Sequence, residues 1–327
     1  MKNVEIIYCF ICLISSFSLL AGKEKKIVNK GVACCYLGPI NGNNYPHYKQ
    51  SALKKIPSPG FLDRDFCLCE EYLFNESVCY EPSLKSKNWG FCSQKIKGEY
   101  SFGGLMEQSS LSEHLDSAFT HIVIDPVLKV DLSEQKDMQL SMGTHVKILG
   151  ELGEKYFVQI HGDNGNWVSK ESLSKIDELK NMDEVRLRAQ IVAQARKLIG
   201  QPYKWGGRCA FEGHGYDCAG LVKTAYMSCA KELARPVGYQ RQMSTKISFD
   251  DLLPGDVLFS VNKHEKAVHV AMWTGENTVI EASPISMDVR EVSLEEAFAC
   301  DREIIRKGRV FYSDKTGDYS VSCAKFF

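Results

Sequence analysis

Along its length the chain changes hydrophobic period twice. Ile6 to Leu20 form an almost unbroken apolar run behind Lys2. Up to about residue 178 the apolar positions then come in short alternating stretches. Val146 and Ile148, then Phe157 and Gln159, recur at a spacing of two, the period of half-buried strands. Two stretches share an order of events: LFNESVCY, KNWGFCSQ and EYSFGGLMEQSSL, then SMGTHVKIL, EKYFVQIH and GDNGNWVSKESL. Each sets a tight turn before alternating apolar residues and an aromatic-led strand, and closes on a glycine turn and a Ser-Leu ending. The pattern predicts two small β-barrel modules, over 23–113 and 114–178. The match between them is loose, and an unrelated cysteine-stabilised first segment is the other reading.

At Asn181 the period becomes helical. Leu187, Ile191, Ala195 and Leu198 share one face, with Asn181 as N-cap, Glu184 three residues on and Gly200 as the stop. After a glycine-rich loop, Leu221, Val222, Ala225 and Tyr226 make the apolar face of a second helix. Strands follow around Asp256–Phe259, Val268–Trp273, Thr278–Ala282 and Arg309–Tyr312. A helical half followed by an antiparallel sheet predicts an α+β domain over 179–327.

The leader, 1–22, is short for a bilayer span and suits an export signal with cleavage. Its cleavage region, Leu19-Leu20-Ala21-Gly22, lacks a small residue three before either cut, and an uncleaved apolar anchor is the alternative. The remaining chain has no segment apolar enough to span a membrane. Forty basic residues against 41 acidic ones, a formal charge of -1, exclude partners held by bulk charge, such as nucleic acid.

Export would change how the 13 cysteines read. Six (Cys34, Cys35, Cys67, Cys69, Cys79, Cys92) fall in the first module, an even number compatible with disulfides or with packed free thiols. The spacing of Cys67 and Cys69 does not suit zinc, so no metal is expected. Cys209, Cys218, Cys229, Cys300 and Cys323 make an odd set, so at least one thiol there stays free.

Cys218 stands apart because GYDCAGLVKTAY places it in the first turn of a helix. The positive end of the helix dipole and the unpaired N–H groups there favour a thiolate, the form a nucleophile needs. The Cys218 N–H would serve as one oxyanion donor. Of eight histidines only His214, His264 and His269 lie in this domain; His214 sits in the glycine loop and His264 in the polar stretch NKHEK. His269 begins HVAMWTGENTVIEA, where a hairpin centred on Gly275 would set Glu281 directly opposite it. A carboxylate beside an imidazole fixes its tautomer and favours its protonated form.

QPYKWGG, GYDCAGLV, LLPGDVLF and HVAMWTGENTVIEA, in this order across about residues 186–312, resemble the NlpC-type cell-wall cysteine peptidases. The resemblance implies a papain-like domain with Cys218 as nucleophile, His269 as general base and Glu281 as third member, a position often His in that family. It places Tyr203 beside the nucleophile and Asp256 in a structural turn. The upstream modules then resemble bacterial SH3-like domains. By the same resemblance Glu76 and Tyr100 would line a substrate groove and Asp217 would pair with a substrate ammonium.

The implied activity is cleavage of the γ-D-glutamyl–diamino-acid bond of peptidoglycan stem peptides, in the periplasm, cell envelope or outside the cell, without a cofactor. Membrane contact would come only through an uncleaved leader. Two departures bear on specificity: Ala219 stands where the family usually has Ser, and Arg235-Pro236-Val237 replaces an Arg-Asp-Ser type stretch. Rival classes are a non-catalytic wall-binding protein and a papain-like acyltransferase.

Overall fold

The computed structural model describes residues 24–28, 32–37, 67–73, 77–82, 89–93, 95–96, 99–100, 104–113, 118–130, 138–161, 164–308, 311–313 and 317–327. The leader and Glu76 lie outside these. Of Tyr100 only the backbone is described, on the short strand Glu99–Tyr100.

The C-terminal half is built around an antiparallel sheet. Its strands run in the spatial order Thr245–Lys246, Gly317–Lys325, Val257–Asn262, Ala267–Trp273, Thr278–Ser283, Asp288–Ser293, and Phe311–Ser313 pairs with the second of these. Alternation along the strands feeds two cores. Val257, Phe259, Val270, Met272, Ile280 and Ala282 pack with Leu187, Ile191, Ala195, Leu221, Val222 and Ala225 of two helices, Glu184–Arg196 and Cys218–Met227. Leu258, Ala271, Trp273 and Val279 face the other way, onto Phe249, Leu294, Phe298 and Ile305. Each fully buried aliphatic side chain contributes about 1.5–3 kcal/mol, so this double-sided burial fixes which residue of each strand faces which layer.

The first helix begins later than its sequence suggests. Its N-cap is Asp183, whose carboxylate accepts from the Arg186 N–H at 2.9 Å; Asn181 instead ends a short helix, Ile176–Lys180. The periodic face is as expected, with Leu187, Ile191, Ala195 and Leu198 all buried. Two strands are additional to those expected from the sequence, Asp288–Ser293 and Gly317–Lys325. The second enters the sheet beside Val257–Asn262, burying Val321 and Cys323 in the core around Phe249 and Leu258 and Ala324 in the other.

Before residue 180 the described residues are largely strand. Seven strands between Glu24 and Glu113 form one antiparallel sheet. Three smaller sheets between His121 and Lys175 enclose Val123, Leu128, Val130, Leu140, Val146, Tyr156, Val158, Ile160, Val168 and Leu173. Strand Lys155–His161 turns Tyr156, Val158 and Ile160 inward, not Phe157 and Gln159. Phe157 packs outside on Trp167, with ring centroids 5.2 Å apart. Period two establishes a strand but not its inner face when apolar residues stand on both sides. The turn at Met142 and Gly143 docks on the C-terminal end of the Cys218 helix. Met142 joins that helix's core, and a Cβ on Gly143 would sit 3.5 Å from the Met227 Cβ.

Cys218, Cys229, Cys300 and Cys323 are buried free thiols. The side chains of Cys34, Cys35, Cys67, Cys69 and Cys79 lie outside the described residues. The odd set, from which at least one free thiol is expected, supplies these four. No His/Cys/Asp/Glu group among the described residues is arranged to hold a metal ion, and no described helix is long and apolar enough to cross a membrane.

Candidate active site

The Cys218 helix is anchored at its first turn by Asp217. This N-cap accepts from the Gly220 N–H at 2.7 Å through Oδ1, while Oδ2 accepts from the Gly206 N–H at 2.8 Å. Arg235 Nη2 donates to the same Oδ2 at 2.7 Å, with both side chains almost fully buried. Backbone lies hard against backbone around this cap. A Cβ on Gly220 would fall 2.2 Å from the Gly207 carbonyl oxygen, and one on Gly207 would fall 2.4 Å from that of Gly215. Glycine at these positions lets the loop before the helix close onto its N-terminus.

Asp217 therefore has its charge balanced by Arg235 and three of its acceptor positions taken. One acceptor position of the carboxylate is left over by the cap. Arg235, which sequence comparison placed only in a divergent stretch, proves to be that partner.

His269 lies near the start of its strand, opposite Ser260 and beside a bulge. Its Nε2 is 2.7 Å from Glu281 Oε2, and the ring also hydrogen-bonds the Cys218 thiol, which leaves Nδ1 for the sulfur. Burial works against a charged ring here, but the bonds to Cys218 and Glu281 outweigh it and push the His269 pKa up to about 10. Glu281 is buried, which disfavours its charge, yet the bonds from His269 and then Arg290 hold it below the usual carboxylate value. Buried charges persist only when paired in this way.

The hairpin that joins these residues differs in register from the simplest reading. Met272 pairs with Ile280 and Trp273 with Val279, so the turn is centred at Glu276, between Thr274 and Thr278, and not at Gly275. His269 and Glu281 are consequently diagonal neighbours instead of directly opposed. A shift of two keeps both on one face, and diagonal neighbours remain within reach of long side chains.

Tyr203 joins this group, half-buried, with its N–H bonded to the Met287 carbonyl at 2.9 Å. Burial, then the nearby negative charge of Cys218 and Asp217, raises its phenol, so Tyr203 stays a hydrogen-bond donor. Asp256 accepts from Arg188 Nη1 at 2.7 Å and from the Leu253 N–H at 2.9 Å, while the Tyr226 hydroxyl donates to the Gly255 carbonyl at 2.6 Å. That turn braces the helix from behind. His264 lies in an exposed turn, and His214 packs on Phe211 in the glycine loop.

Sequence reasoning missed Arg290. It lies directly opposite Glu281 on the next strand and donates to Glu281 Oε1 from Nε at 3.0 Å and Nη2 at 2.8 Å. The signal was available, since the alternation of DVREVS after a turn suits a third strand, but only its pairing reveals which charge meets which.

Residues 200–306 match the model of the NlpC/P60 family. The chain is 36% identical over 105 residues to a probable endopeptidase of Corynebacterium glutamicum, 32% of this chain and 47% of that protein. It is 24% identical over 123 residues to a γ-D-glutamyl-L-lysine dipeptidyl-peptidase of Bacillus subtilis, 37% of this chain and 40% of that protein. The chain thus spans less than half the length of either relative. A crystal structure of an NlpC/P60 family protein from Bacillus cereus superposes with a TM-score of 0.64 at 17% identity, covering 83% of this chain and 94% of that one. At that identity the likeness is one of fold.

Proposed function

We propose that this chain is a cysteine endopeptidase of peptidoglycan stem peptides, cutting the γ-D-glutamyl–diamino-acid bond. The observation that carries the reading is the continuous path from Cys218 through His269 to Glu281, with the thiol at a helix N-terminus. The name of the Bacillus subtilis relative supports the bond. Residues 179–327 form the peptidase domain, and 23–113 and 114–178 are two SH3-like domains. In support, the Bacillus cereus structure matches 83% of the chain, more than the last 149 residues alone can supply. Glu76 and Tyr100 of the first domain line the groove, the remaining acceptor site of Asp217 meets the substrate amine, and the protein acts outside the cytoplasm.

The sulfur attacks the γ-glutamyl carbonyl carbon as thiolate, and the carbonyl electron pair moves onto oxygen, where the Cys218 N–H receives it. Collapse of this intermediate breaks the C–N bond as His269 gives its Nδ1 proton to the departing amine. The neutral imidazole then takes a proton from water. The resulting hydroxide adds to the thioester and expels the Cys218 thiolate, which restores the starting ion pair. Glu281 stays ionised throughout and keeps Nε2 protonated, so that Nδ1 does the proton transfer.

Purified full chain incubated with L-Ala-γ-D-Glu-diaminopimelate should release free diaminopimelate, detected by mass spectrometry. An unchanged tripeptide, or equal cleavage by Cys218→Ala, would overturn the reading.

A further inference from the structure

Glu281 divides its two oxygens between two partners. Oε2 faces His269 at 2.7 Å, and Oε1 takes both Nε and Nη2 of Arg290. The third guanidinium nitrogen, Nη1, reaches Glu296 Oε1 at 2.7 Å on the helix Leu294–Phe298, whose N-cap Ser293 accepts from the Glu296 N–H. The Glu281 side chain is 3% exposed and that of Arg290 23%. A carboxylate buried this deeply against an imidazole alone would be driven toward its protonated form or free to turn. Two N–H bonds from one side of a rigid guanidinium fix the plane of the carboxylate as well as its charge.

We propose that Arg290 is a positioning residue for His269: it holds Glu281 ionised and in one orientation, with Oε2 aimed at the imidazole. Glu296 in turn holds the far end of Arg290. This rests on the peptidase reading, but it is testable on the thiol without any substrate.

The test is the rate at which iodoacetamide alkylates Cys218, followed by peptide mass spectrometry between pH 6 and 9. The proteins are wild type, Arg290→Gln, Glu281→Gln and the double variant. Arg290→Gln should slow alkylation about tenfold at pH 6. The deficit should close toward pH 9, where even an unassisted thiol ionises. The double variant should react no slower than Glu281→Gln alone, because the arginine acts through the glutamate. A wild-type rate for Arg290→Gln, or losses that multiply in the double variant, would overturn the assignment. Should Arg290→Gln fail to fold, Arg290→Lys decides: a loss at pH 6 that vanishes in the Glu281→Gln background supports positioning, and a pH-independent loss refutes it. Failure of wild type to cut the tripeptide would sink the substrate assignment and leave this cycle standing.

Discussion

The helix Cys218–Met227 has a cysteine in its first turn and another, Cys229, just past its last. Both are buried and both are free thiols, but they occupy opposite chemical worlds. Cys229 lies at the negative end of the helix dipole, with the Ser228 hydroxyl 4.0 Å from its sulfur, and burial pushes it up to about 12. Cys218 lies at the positive end, hydrogen-bonded to an imidazole that Glu281 orients. The Met142 and Gly143 turn covers the first end, and the glycine loop braces the second around Asp217. Burial by itself makes a thiol inert, and reactivity has to be built by what surrounds it.

The strongest way to break this comparison is to remove each sulfur in turn. Cys218→Ala should lower kcat/KM on the tripeptide by about 10⁴-fold or more. Cys229→Ala should leave activity within about twofold and lower unfolding free energy by about 1 kcal/mol in denaturant melts. Loss of activity in the second variant would mean that the two ends are not separate devices.

Competitive alkylation is the next largest contrast. At pH 6 iodoacetamide should modify Cys218 more than about 100-fold faster than Cys229 or Cys323, whose thiol burial also pushes up to about 12. Equal, slow labelling of all three would point to a binding protein.

Glu281→Gln tests the support behind the reactive end. It should cost about 10²-fold in kcat/KM, and because Glu281 helps raise His269, the alkaline limb of the pH–rate profile should move to lower pH. An unmoved limb would show that the carboxylate does not govern the ring.

Gly220→Ala probes the same end through packing. Its Cβ would meet the Gly207 carbonyl oxygen at 2.2 Å, so a loss of more than about 2 kcal/mol is expected in thermal or denaturant unfolding.

The smallest effect is the pH dependence of stability itself. His269, raised from 6.5 to about 10, contributes fully below pH 6.5 and loses that contribution as pH climbs toward 10. Glu281, lowered from 4.5, contributes above that value and loses its share on acidification. Melting temperature should therefore be highest between roughly pH 4.5 and 6.5, with both slopes reduced in Glu281→Gln.

Much of the reactive end was legible in the residues. A cysteine followed by Leu221, Val222, Ala225 and Tyr226 at helical spacing announces a thiol at a helix start. His269 and Glu281 share strand parity, and a register shift of two leaves parity intact, so a displaced hairpin still brought them together. Arg235 was noticed only as a departure from a motif. Nothing local told that it would reach back to Asp217 from 18 residues away.

What the amino-acid order determined by itself was periodic and local: two helices and their inner faces, several strands, the placing of one thiol at a positive helix end. These follow from the side-chain period of each element, which a few neighbouring residues specify. Only tertiary packing decided the turn at Glu276, the inward face of Lys155–His161 and the entry of Gly317–Lys325 into the sheet. It also decided that Arg290 would meet Glu281. Those choices depend on which distant surfaces bury the most apolar area and leave the fewest charges unpaired, a comparison that exists only once the chain has closed on itself.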